Sequence, residues 1–134
     1  MAVKLRERLI NTDTFTVGSS DIARGTCTVL NSGVVDASGA NAAKFVGITT
    51  EPGTAGKDVR VAQGGSTVLA LAADGSVSEG DWLVSDATGK VTTAGAGAQG
   101  TAQYFVGYAL RASAAADQLI PVAVWPARVD NPAP

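Results

Sequence analysis

Lys44-Phe45-Val46-Gly47 returns as Tyr104-Phe105-Val106-Gly107, 60 residues further along the chain, and the two copies bring their surroundings with them. Upstream, Gly25-Thr26-Cys27-Thr28-Val29 and then Gly33-Val34-Val35 match Gly80-Asp81-Trp82-Leu83-Val84 and then Gly89-Lys90-Val91. Downstream, Asp58-Val59-Arg60-Val61 matches Gln118-Leu119-Ile120-Pro121-Val122. Each half reads as strand, Gly turn, short strand, loop, Phe-Val-Gly strand, loop, strand. Neither half could bury its apolar face alone, so two similar β units should pack against each other. A Gly directly after Phe-Val weakens a strand unless backbone or a bulky side chain crosses close by. Gly47 and Gly107 are therefore expected to mark packing crossings or bulges.

Outward from this repeat, Val- and Thr-rich runs are separated by Gly, Asn and Asp at intervals of roughly 8 to 12 residues, the pattern of an all-β sandwich or barrel. The predicted strands are Phe15–Val17, Thr26–Leu30, Phe45–Thr49, Val59–Val61, Thr67–Leu71, Trp82–Ser85, Val106–Leu110 and Leu119–Trp125. Turn residues stand between them at Asn31-Ser32-Gly33, Glu51-Pro52-Gly53, Gly64-Gly65, Asp74-Gly75, Glu79-Gly80-Asp81 and Thr88-Gly89-Lys90. The Ala-rich stretch Ala112–Ala116 is too short to persist as a helix and reads as a loop.

The expected organisation is an N-terminal arm over residues 1–14 and a single compact β domain over 15–125. The domain is a small β-barrel or β-sandwich whose pseudo-repeat covers about 25–61 and 80–122. A Pro-rich tail over 126–134, with three prolines, follows. In the arm, the alternation Val3-Lys4-Leu5-Arg6 suits a strand, whereas Leu5, Leu9 and Ile10 would also line one helical face.

At 134 residues the chain fits one domain, and 46% hydrophobic content with only 5% aromatic residues predicts a core of Val, Ala and Thr. Small side chains bury less apolar area each, which favours further burial through assembly. The net charge of −2 comes without a basic patch for phosphates, since Lys and Arg are scattered singly apart from Lys4, Arg6 and Arg8. Nucleic acid is thus not an expected partner. No apolar run approaches the ~20 residues of a membrane helix, and neither a secretory leader pattern nor a second Cys is present, so the expectation is a protein made in a cytoplasm and not associated with a membrane.

The absence of His removes Ser-His-Asp and Cys-His catalysis, and no Lys lies in a recognisable nucleophile motif. Gly53-Thr54-Ala55-Gly56-Lys57-Asp58 has the wrong glycine spacing for a phosphate loop, with Asp58 where a magnesium-binding hydroxyl is needed. Asp74, Glu79 and Asp81 lack the spacing that converges oxygen ligands on calcium, and an acidic turn is the expectation. Neither an enzyme nor a cofactor or metal site is expected. Cys27, between Thr26 and Thr28, reads as a small buried hydrophobe. The large anchors are Trp82 and Trp125. Both faces of Leu119–Trp125 are apolar, so this strand is either central to two layers or part of a subunit interface, and Trp125 fits core or interface equally.

The run Gly80-Asp81-Trp82-Leu83-Val84-Ser85-Asp86-Ala87-Thr88-Gly89-Lys90-Val91-Thr92, then Phe105-Val106-Gly107-Tyr108-Ala109-Leu110 and an Ala-rich loop before Val122-Ala123-Val124, resembles the phage capsid decoration, or cement, proteins. The similarity spans about Gly25 to Val124 and rests on turns and small residues. It implies a compact β fold on the outer surface of an assembled virion capsid, binding the major capsid protein and stabilising the head. It also implies a homo-oligomer, with a trimer favoured. Such proteins often pair an N-terminal arm with a capsid strand. The expected capsid contacts are therefore Val3, Lys4, Leu5, Arg6, Arg8, Leu9 and Ile10, and the expected subunit interface is at Trp125 and Trp82. The charged start and Pro-rich tail depart from the family pattern. The competing class is a surface-displayed carbohydrate- or host-binding β module, for which two Trp and two Tyr make a thin platform.

Overall fold

The computed structural model describes residues 7–95 and 100–130. Ten strands follow one another: β1 (Thr12–Thr16), β2 (Cys27–Asn31), β3 (Val34–Ala37), β4 (Phe45–Thr49), β5 (Asp58–Ala62), β6 (Thr67–Leu71), β7 (Trp82–Ser85), β8 (Val91–Thr93), β9 (Gln103–Ala109) and β10 (Leu119–Val129). They form two five-stranded antiparallel sheets packed as a sandwich, and the described residues contain no helix. All eight predicted strands are present. Their β-branched residues suit a pleated surface, and glycines end them where the chain must turn. In the β2–β3 hairpin, Ser32 and Gly33 both take positive φ (53° and 86°), the conformation that matches a two-residue turn to the twist of its strands.

The first sheet runs β1-β5-β4-β2-β3 and the second β6-β10-β9-β7-β8. Counting each unit from its own first strand, the two orders are the same, which identifies the pseudo-repeat as two copies of one topology. Individual hydrogen bonds repeat as well. Gly25 N–H donates to Thr49 O at 3.0 Å, and Gly80 N–H to Ala109 O at 2.7 Å. Val17 N–H donates to Lys57 O at 2.8 Å, and Ala72 N–H to Gln118 O at 2.9 Å. β1 and β3 stand at opposite ends of their sheet, yet Val17 bridges Val35 and Gly18 N–H reaches Val35 O at 2.9 Å. In the second sheet Ala72 bridges Val91, and Ala73 N–H reaches Val91 O at 2.9 Å. Each sheet therefore curls until its ends meet, so the molecule is a sandwich whose layers are themselves barrel-like.

Val17, Ile22, Val35, Val59 and Val61 fill the first curl. Buried aliphatic side chains of this kind each contribute roughly 1.5–3 kcal/mol. A larger cluster fills the second curl and continues between the units, joining Cys27, Ile48 and Ala62 of the first to Val68, Val106 and Val124 of the second. A Cβ on Gly47 would lie 2.2 Å from the Ala62 carbonyl oxygen, and one on Gly107 would lie 1.9 Å from that of Ala123. Both glycines thus mark the close backbone crossings expected of them.

Two expected boundaries move. β1 begins at Thr12, inside the stretch assigned to the arm, because Thr12–Thr16 pairs residue for residue with Asp58–Ala62. β10 continues to Val129, past the expected end at Trp125. The ladder with β9 shifts between Val124 and Ala127, and this irregularity takes Pro126 out of the regular pairing. Residues 131–134 of the expected tail lie outside the described residues.

Candidate functional site

The outer face of β7, β9 and β10 gathers most of the exposed aromatic surface. Trp82 pairs across the sheet with Tyr108, and Tyr108 with Ala123. The Trp82 ring lies 5.3 Å from that of Phe105, tilted at 34°, and 5.4 Å from that of Tyr108 at 65°, separations at which aromatic rings attract one another. Trp82 keeps 42% of its surface exposed and Trp125, two strands away on β10, 60%. Trp125 is therefore a surface residue and not part of this chain's own core. Next to this face, a cavity of about 340 Å³ lies between the units, lined by Phe45, Tyr104, Phe105, Pro126 and Arg128 among others. Arg128 stands 5.7 Å from the centroid of the Tyr104 ring, within cation–π range, and its pairing with Asp130 raises its pKa.

The chain start meets the same region. Arg8 and Thr67 exchange backbone hydrogen bonds of 2.8 Å in each direction, which adds Arg8 to the outer edge of β6. Ser66 Oγ accepts from Ile10 N–H at 3.1 Å and from Asn11 N–H at 3.0 Å, and it donates to Asn11 O at 3.1 Å. On its other side the same turn holds β10: Val124 N–H donates to Ser66 O, and Gly65 N–H to Val124 O, both at 2.9 Å. The turn at 63–66 thus brings Leu9 and Ile10, 40% and 66% exposed, to the strand that carries Trp125. Glu7 forms an ion pair with Arg24. The described part of the expected arm is docked on the domain, while Val3, Lys4, Leu5 and Arg6 lie outside the described residues.

The acidic turn holds itself together. Asp74 accepts from the N–H and hydroxyl of Ser76, bonds that lower its pKa, and Asp81 accepts from Ser78 N–H and the Thr93 hydroxyl. Among the described residues, no group of three or more His, Cys, Asp or Glu is placed to hold a metal ion, and no helix is long and apolar enough to cross a membrane. Cys27 is fully buried, and burial pushes its thiol pKa far up, so the group stays protonated. Sequence reading missed Phe105 and Tyr108 as partners of Trp82, and Leu30 as an exposed apolar residue. The available signal was the repeat itself, because the second copy carries aromatics where the first carries Cys27 and Ile48.

No curated protein matches the chain. A family model described as phage cement protein matches residues 9–124.

Proposed function

Because the chain belongs to the phage cement protein family, we propose that it binds the outer surface of an assembled phage capsid, contacts the major capsid protein and stabilises the shell, with no catalytic role of its own. The family supplies the coarser statement, a structural component of the virion capsid. The observation that supports the finer one is the set of exposed apolar side chains Leu9, Ile10, Trp125 and Trp82, the first two held by the 63–66 turn to the strand that carries Trp125. Surfaces of this kind on a small protein mark interaction sites.

In this reading Val3, Lys4, Leu5, Arg6, Arg8, Leu9 and Ile10 meet the shell, the apolar members by contact or strand addition and the bases by facing an acidic surface. Trp125 and Trp82 meet a neighbouring subunit in a homo-oligomer, of which a trimer is the favoured form. Oligomerisation suits a surface of many identical sites, because linked contacts make later binding steps intramolecular. The protein is made in the host cytoplasm and ends on the capsid exterior.

The test is cosedimentation of the purified chain with heads that lack it, followed by heat challenge of the heads. The expected result is saturable retention and improved survival, and both should fall when residues 1–10 are deleted. Failure of the intact chain to bind would overturn the reading, while unchanged occupancy after deletion would remove the arm from it. Exposed Trp82 and Trp125, with half-buried Tyr108 on the strand between theirs, favour one second reading, a sugar-binding face, which a glycan array tests directly.

A further inference from the structure

The two units place one register row in two environments. In the first unit Cys27 pairs with Ile48 and Ile48 with Ala62; in the second, Trp82 pairs with Tyr108 and Tyr108 with Ala123. All three residues of the first row are 0% exposed, inside the cluster shared with the second unit. The second row stands at the surface, with Trp82 42% exposed. What covers the first row is a β unit of the same topology. The second unit sets its β7–β8 turn against the end of that row, where Gly89 O accepts from Cys27 N–H at 2.8 Å. The counterpart turn of the first unit, Asn31–Gly33, is exposed, and beside it Leu30 is 43% exposed. Leu30 lines an open cavity of about 480 Å³ together with Val29, Ala37 and Ala42.

We propose that a second copy of this chain covers the Trp82–Tyr108–Ala123 row and brings its Leu30–Gly33 turn to that row, repeating between molecules the contact that already joins the two units within one. The row carries no charged side chain, in keeping with the charge depletion of interface cores. The contact is heterologous: the open row of one copy meets the open turn of the next. Such contacts close into a ring when the rotation allows and otherwise extend into a chain. The inference rests on the homo-oligomer in the proposed function but not on shell binding, and its test needs no capsid.

The experiment is mass measurement in solution by light scattering and sedimentation, on the intact chain and on two variants. Trp82→Asp removes the row and leaves the turn; Leu30→Asp removes the turn and leaves the row. The intact chain should be oligomeric, and each variant alone should be monomeric with an unchanged circular dichroism spectrum. An equimolar mixture should give a one-to-one complex, since one intact row and one intact turn remain between them. Should Trp82→Asp fail to fold, Tyr108→Gln serves as the row variant. An intact chain that is monomeric up to roughly 100 μM, well above a micromolar dissociation constant, would overturn the proposal. So would variants that remain oligomeric, or two monomeric variants that fail to combine. A monomer that still binds heads would sink this inference alone, whereas an oligomer that does not bind heads would sink only the capsid reading.

Discussion

Cys27, Ile48 and Ala62 in the first unit and Trp82, Tyr108 and Ala123 in the second hold corresponding places in one repeated ladder, and the first two places differ in chemistry while the third is Ala in both. Cys27 and Ile48 stand in the row that the rest of the chain covers where Trp82 and Tyr108 stand in the row left at the surface, and both rows end on Ala. What the units share lies in the backbone: the strand order, the repeated hydrogen bonds from Gly25 and Gly80, and the crossings at Gly47 and Gly107. Duplication has kept the parts that shape each curl, while the outward row has been free to follow its surroundings.

The largest expected effect tests the shared part. In Gly107→Ala the new methyl meets the Ala123 carbonyl at a backbone φ of 155°, and in Gly47→Ala it meets that of Ala62. Each should cost about 4 kcal/mol or more, enough to prevent folding of a chain with a core of small residues. Urea unfolding should find the two defects comparable. Ready tolerance of either one would break the equivalence of the units.

The next effect separates the rows. Ile48→Ala empties a fully buried site and should lower stability by about 2–5 kcal/mol. Tyr108→Ala, at the equivalent surface position, should cost the monomer about 1 kcal/mol or less. Thermal unfolding at low protein concentration checks the contrast, and equal losses would show that the second row is covered within the monomer.

The smallest effect is confined to the first row. Cys27 has its thiol pKa raised above its ordinary 9.0 by burial, with the Asp86 charge adding to the shift. The folded state therefore favours the neutral thiol. The corresponding stability is fully present below pH 9 and declines as the unfolded chain ionises above it, by about 1 kcal/mol between pH 9 and pH 10. Denaturation midpoints across that range should fall more steeply for the intact chain than for Cys27→Ala. Parallel curves would show that the thiol is not sequestered.

The repeat was legible because glycines bound its strands and fix its turns, features that need no knowledge of neighbours. The ends of the pattern were less legible. Thr12-Asp13-Thr14 has no apolar alternation, and its strand exists because β5 offers a partner edge. Pro126 reads as a breaker, but the irregularity after Val124 lets pairing resume at Ala127. The candidate surface was half legible. Trp82 and Trp125 stand out by size alone, whereas the approach of Ile10 to Ser66 joins residues 56 positions apart and leaves no local trace. Which row would be buried depends on how the units stack, and neither row states that in its own composition.

The first described residues also set how the molecule carries load. Glu7 grips the first unit through Arg24, and the adjacent Arg8 grips the edge of the second through Thr67. The peptide link between them therefore ties the two units together, beside the shared core and the Cys27–Gly89 hydrogen bond. A pull on the chain start is shared between both layers from the outset, so the segment acts as a clasp, and cutting it should lower the force at which the layers separate.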